Sequence, residues 1–335
     1  MGRHVFTRHA VAVMIAVCAM LGAAVADAGT PTVVWQKSGV QTGDSTIFSA
    51  DGTALLLAIS GGFELRRASD GVLLNTLTLP ADSLGYDAKA LSSDKTLVAL
   101  SFLRNGAGTI ELWRIAGSTL TRTITTDAVR TIKGLAFSSA GLIASRERFA
   151  YGGGGNLRVH RVSDGTLLKK LGPVARNSAS GGVGFSADGT LLAVNDNNQN
   201  GLWILRTSDW STARLIGNGA TLFAWADNAS VWTGGFQRVR ISDGAVLATL
   251  PPSDTSLPSA ITPDNRFAYA WDMVDFTASN TIRFLRVTDG GTQLLYTFPS
   301  GTRVWSDKIN STQRLFIYEI CPNDCTVYVA SMPSL

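Results

Sequence analysis

Phe48-Ser49-Ala50-Asp51-Gly52 decides how this chain is read, because the same unit returns along its length. Close copies are Leu91-Ser92-Ser93-Asp94-Lys95, Phe137-Ser138-Ser139-Ala140-Gly141 and Phe185-Ser186-Ala187-Asp188-Gly189. Weaker ones follow at Trp225-Ala226-Asp227-Asn228, Ile261-Thr262-Pro263-Asp264-Asn265 and Ile309-Asn310-Ser311-Thr312-Gln313. The spacing, roughly 36 to 48 residues, is that of a repeat array built from one supersecondary unit per copy.

Each copy has one grammar. After the Asp-Gly-type turn comes an apolar run such as 54–59, 97–100, 191–194 or 267–271. An alternating strand follows, for example Leu157-Arg158-Val159-His160-Arg161-Val162, and then a Ser/Thr-Asp-Gly turn: 69–71, 163–165, 242–244 or 288–290. Asp-Gly between apolar strands marks a tight hairpin, since Gly accepts the left-handed backbone such turns need. Four short strands per copy without helical periodicity predict an all-β, seven-bladed β-propeller of four-stranded antiparallel blades. The last copy has strands near 304–308, 315–319 and 326–330 and then lacks a fourth. Residues 31–39 form a strand belonging to no earlier copy. Paired outside 326–330, they would complete the last blade, close the ring and cover its edges.

The Phe-Ser-x-Asp-Gly anchor, the apolar second strand and Leu112-Trp113 resemble WD40-type repeats over essentially the whole chain after its leader. That resemblance implies an architecture and no single function. One departure is systematic. Where such repeats place Asp after Trp, this chain has Arg114, and Arg recurs as Arg67, Arg161, Arg206, Arg240 and Arg286. The buried hydrogen-bond set of WD40 blades therefore does not carry over. An Arg in nearly every copy points to a structural task, such as pairing with the Asp of the following turn.

Residues 1–28 read as a cleaved signal peptide. Arg3, His4, Arg8 and His9 precede an apolar run over 10–25, which ends in the small-x-small site Ala26-Asp27-Ala28. About 16 apolar residues fall short of the ~20 that cross a bilayer, so no membrane span is expected after cleavage. Residues 29–335 are then one domain, expected in the periplasm or the medium of a bacterial-type cell and expected to be a monomer. In that oxidising setting Cys321 and Cys325 are read as a small disulfide. A zinc site is not expected, because two thiols lack two further ligands.

Composition narrows function. Lys and Arg number 29 against 25 Asp and Glu, with no basic run, so a nucleic-acid interface is not expected. His160 is the one histidine beyond the leader and lies near no nucleophile motif. No cofactor is expected. Calcium is the alternative to none, through the oxygen-rich stretch 196–201. A uniform face of short turns contrasts with a face of long, variable loops, and long loops on a rigid scaffold are where binding sits. That long-loop face should carry Arg104, Arg146, Glu147, Arg148, Tyr151, Asp196, Asn198, Trp271, Asp272, Asp275 and Phe276, with Tyr86 and Trp305 from the other loop set. The expected function is a binding or scaffold module for a protein or glycan. The alternative is a lactonase-like propeller hydrolase with an oxygen-ligated metal at the central channel, and the poverty of catalytic residues disfavours it.

Overall fold

The computed structural model describes the chain apart from residues 1–25, 28–29, 42–45, 84, 129, 150–154, 175–181, 197–200, 218–219, 251–255, 263, 275–276, 301, 303, 311–313, 322–324 and 333–335. Among the described residues the structure is strand and turn, with one short 3-10 turn at Ala81–Ser83.

The strands run as antiparallel meanders in chain order. Sheet 1 holds Thr46–Phe48, Ala54–Ile59, Gly62–Arg67 and Leu73–Thr78. Sheet 2 holds Ala88–Leu91, Leu97–Arg104, Ala107–Arg114 and Thr119–Ala128. Sheet 3 runs from Arg130–Phe137 through Leu142–Phe149 and Gly155–Arg161 to Leu167–Val174. Sheets 4 and 5 repeat the pattern between Val183 and Ile216 and between Leu222 and Thr249. Sheet 6, Ser256–Ile261 to Thr292–Thr297, gains a fifth, parallel strand from Ala26–Asp27. Those two residues lie inside the segment expected to be removed.

Sheet 7 takes three strands from the C-terminal end, Val304–Asn310, Leu315–Ile320 and Cys325–Ser331. Its fourth is Val33–Val40, paired antiparallel with Cys325–Ser331 from Val33↔Ala330 to Val40↔Cys325. Val40 also pairs with Ile59, which links sheets 7 and 1 into one eight-stranded sheet.

Alternation along each second and third strand gives every sheet two apolar faces, and each is spent on a neighbour. Leu56 and Phe63 of sheet 1 meet Leu100 and Phe102 of sheet 2. The opposite face of sheet 2, with Ile110 and Leu112, meets Ile132 and Ile143 of sheet 3. Leu157 and Val159 then meet Leu192 and Val194, and Leu202 and Ile204 meet Val231. Phe236 packs with Ala268, Ala270 and Leu285, and Tyr269 and Phe284 pack with Phe316 and Tyr318. A further cluster joins Leu315, Ile317 and Val329 of sheet 7 to Leu55 and Leu57 of sheet 1. Each fully buried Leu, Ile or Phe contributes about 1.5–3 kcal/mol.

The repeated turns show why the sequence repeats. In the first, the Ser49 hydroxyl donates to Asp51 (2.7 Å) and accepts the Ala54 N–H (2.9 Å). Ser92, Ser186 and Thr262 do the same with Asp94, Asp188 and Asp264. The recurrent Arg is structural, as its repetition suggested. Arg67, Arg161, Arg240 and Arg286 reach Asp70, Asp164, Asp243 and Asp289 at 2.7–2.9 Å. Arg206 instead holds Ser211 and the Thr212 carbonyl. Side chains about half exposed make each ion pair worth little, about 0–1 kcal/mol.

The fourth strand of one sheet also grips the last turn of the next. Arg122 donates to the Ser163 and Asp164 carbonyls, and Arg214 to those of Ile241 and Ser242. Trp35 of sheet 7 makes the equivalent contact on sheet 1, its indole N–H on the Ala68 carbonyl at 2.7 Å.

Candidate functional site

Antiparallel meanders send the second-to-third and fourth-to-first connections to one edge of the sheets and the remaining turns to the other. On the short-turn edge the polar side chains are consumed by the Ser/Asp and Arg/Asp latches. Asp164 is an example: the Thr166 N–H, Arg161 and the Thr166 hydroxyl hold its carboxyl down to about 2.

The opposite edge is best described where sheets 1, 2 and 3 meet. The connection from Leu73–Thr78 to Ala88–Leu91 carries the Ala81–Ser83 turn, and Arg104 clamps it. The Arg104 Nη2 donates to Ser83 Oγ (2.8 Å) and Nη1 to the Asp82 carbonyl (3.3 Å), while Nε donates to Glu111 Oε1 (2.7 Å). Its guanidinium lies 4.4 Å from the centre of the Phe102 ring. Glu111 is buried, and its second oxygen accepts the Trp113 indole N–H at 2.9 Å. Beyond this clamp, half-buried Tyr86 packs on Phe63 at 5.5 Å and carries the Lys89 ammonium at 5.6 Å. Burial raises the Tyr86 hydroxyl above its ordinary value, so it stays a neutral donor. Asp87 pairs with Lys133 of sheet 3, and its N–H donates to the Ser101 carbonyl. Leu103, 49% exposed, sits beside Arg104 at the hairpin tip. Such a surface offers an aromatic ring and a carboxylate on a fixed loop, with two ammonium groups and an apolar side chain on the strands beside it. That set suits recognition; no nucleophile with a paired base is among these residues.

Arg146 and Glu147 require a correction. They were expected on exposed loops, yet both lie in the strand Leu142–Phe149, Arg146 2% and Glu147 0% exposed. Glu147 accepts from Arg158 Nε (2.7 Å) and Asn156 Nδ2 (3.0 Å), an interior ion pair between two adjacent strands of sheet 3. The strand simply runs further than its apolar residues indicate. His160 shares that face. Desolvation, reinforced by Arg158 and opposed by Glu147, lowers its pKa to about 4. Three of the chain's four glutamates, Glu64, Glu111 and Glu147, thus pair with Arg.

Of the other expected residues, Arg148, Asp196, Trp271, Asp272 and Trp305 lie on strands whose side chains fall outside the described set. Tyr151, Asn198, Asp275 and Phe276 lie outside the described residues altogether, and with them most of the oxygen-rich stretch considered for calcium. Lys89, Leu103 and Lys133 were missed. Lys89 and Lys133 interrupt short apolar first strands, a signal that alternation could have supplied. Cys321 and Cys325 form the expected disulfide in the second-to-third connection of sheet 7.

The sequence matches no family model and no curated protein. Solved structures are similar in fold. A chain of the mitotic checkpoint complex superposes with a TM-score of 0.65 at 15% identity, covering 92% of this chain and 96% of that one. The fold is a WD40-like β-propeller. The β-propeller domain of Cps50 (Swd1) from Myceliophteria thermophila gives a TM-score of 0.61 at 10% identity, over 88% of this chain and 99% of that domain. The dihydro-heme d1 dehydrogenase NirN, in complex with DHE, gives 0.57 at 12% identity, over 89% of this chain and 65% of that one. At these identities the propeller fold is what is shared. Among the described residues no helix is long and apolar enough to cross a membrane.

Proposed function

We propose that this chain is an exported, monomeric, seven-bladed propeller that serves as a scaffold for a protein partner, bound on the face of second-to-third and fourth-to-first loops. One observation carries the reading. The Arg104–Glu111 clamp fixes an otherwise irregular loop and presents Tyr86, Lys89 and the Asp87–Lys133 pair together, whereas the polar groups of the other face are spent on turns. A loop ordered before binding loses less entropy on association. Ring closure is supported by the Val33–Val40 pairing with Cys325–Ser331 and by apolar clusters joining each sheet to the next and the last to the first. Export is supported by the leader sequence and the disulfide.

The test is site-specific photo-crosslinking in cells that export the protein. A crosslinking residue at Asn105 should capture a protein partner, and one at Ser242 on the opposite face should not. Tyr86→Ala with Lys89→Glu should lower capture at least tenfold, about 1.4 kcal/mol, while Arg240→Ala leaves it unchanged. Capture from Ser242 alone would overturn the face assignment, and capture of a glycan would replace the protein partner.

A further inference from the structure

A second group of chemistry-bearing side chains sits on sheet 7, independent of the reading above. Leu315–Ile320 and Cys325–Ser331 are antiparallel neighbours, with Glu319↔Val327 and Ile320↔Thr326 in register. Their connection is flanked by Cys321 and Cys325, joined as a disulfide with Cα atoms 4.1 Å apart. A Glu319 carboxylate oxygen and both sulfurs all lie within 4.8 Å of one another. Cys325 is fully buried and Glu319 4% exposed, whereas Cys321 is half-buried, so the cluster opens to solvent on one side.

Two thiols alone are too few for zinc, which was the objection raised by the sequence. The fold supplies a third donor that spacing could not reveal, because Glu319 reads as one more residue of an apolar strand. Two sulfurs bound to zinc at about 2.3 Å in a tetrahedral site stand about 3.8 Å apart, and Cys-x-x-x-Cys falls within ordinary zinc-ligand spacing. The 4.8 Å envelope of the donors leaves room for that arrangement, with Glu319 and Cys325 held in paired strands and Cys321 just past the end of one. Two thiolates at so largely buried a site are costly unless a cation is bound to them.

We propose that Cys321, Cys325 and Glu319 form a redox-gated site for a thiophilic divalent cation of the zinc class. A dithiol reductant passes two electrons and two protons to the disulfide and is itself oxidised to a cyclic disulfide, leaving two thiols. The cation then displaces both thiol protons to solvent and binds two thiolates and the Glu319 carboxylate, with water in the fourth position. In the oxidised protein the sulfurs are bonded to each other and the site is closed. Because Cys325 pairs with Val40, which also pairs with Ile59, the bound cation would take over the staple beside the junction of sheets 7 and 1.

The test compares zinc uptake by the full chain before and after reduction with a phosphine, which does not compete for the metal as a dithiol would. One equivalent of zinc is expected per reduced chain and none per oxidised chain. Glu319→Gln should weaken binding at least tenfold with both thiols still titratable, and Cys321→Ser should abolish it. X-ray absorption at the zinc edge of the reduced wild type reads the donor set without any variant, and two sulfurs with oxygen neighbours are expected. No stoichiometric uptake, equal affinity in Glu319→Gln, or a four-sulfur shell from paired chains would each overturn the proposal.

Discussion

Lowering the pH from 7.5 to 5 should destabilise this protein through a single buried side chain. His160 is 4% exposed, and its Nδ1 has no hydrogen-bond partner among the described residues, so a second ring proton would be buried without an acceptor. Desolvation, with Arg158 close by, therefore holds its folded pKa at about 4, against Glu147, which favours the charged form. The unfolded imidazole titrates near 6.5. Between these values the unfolded chain binds a proton that the folded chain refuses, so stability is full above about pH 6.5 and drains as pH falls towards 4. Linkage gives a loss of about 2 kcal/mol at pH 5 and about 3 kcal/mol at pH 4 relative to pH 7.5. His160 is the one histidine of residues 29–335, and His4 and His9, outside the described residues, are common to both proteins compared. The assay is urea unfolding of wild type and His160→Gln at half-unit pH steps, taking the difference so that carboxylate effects cancel. Parallel stability curves for the two proteins between pH 7.5 and 5 would refute the reasoning.

Two further outcomes follow from particular contacts. Arg104→Met leaves the buried Glu111 carboxylate without its ion partner. Because Arg104 is 29% exposed, the cost should fall below the usual range for breaking a buried pair, at about 2–3 kcal/mol. Hydrogen exchange over 79–88 should accelerate with it, and unchanged exchange there would deny the clamp. Gly71→Ala and Gly141→Ala form a matched pair, since both glycines have left-handed φ (+73° and +74°). Each pays about 1–2 kcal/mol for that backbone. An added Cβ at Gly71 would also lie 2.7 Å from the Trp35 ring, whereas at Gly141 it would meet open space. Thermal unfolding should therefore rank Gly71→Ala clearly below Gly141→Ala, and equal loss would mean that Trp35 does not press on that turn.

Much of the fold was legible because its signals are local. Ser49-x-Asp51-Gly52 is a complete turn with its own hydrogen bonds, so copies of it mark hairpins wherever they fall. The recurrent Arg was legible for the same reason, lying three residues before its Asp partner. The candidate site was far less legible, because its contacts are long-range. Arg104 and Glu111 are neighbours across a hairpin, but Ser83 joins them from the preceding loop. Arg146 and Glu147 read as loop residues because charge on a strand looks like the end of a strand. Arg158 and Asn156 on the neighbouring strand show how Glu147 can be buried. Glu319 was hidden in the same way.

The pairing of the N-terminal strand with the C-terminal sheet is the claim on which the proposed ring closure rests, and cysteine trapping tests it directly. The hydroxyls of Ser38 and Thr326 lie 3.0 Å apart on exposed faces of the paired strands. The double variant Ser38→Cys/Thr326→Cys should oxidise to an intramolecular disulfide, seen as a 38–326 linked peptide by mass spectrometry and as a faster band on a non-reducing gel. It should form in the folded protein without loss of strand content. Free thiols at both positions after mild oxidation, or crosslinks to Cys321 and Cys325 in their place, would contradict the closure.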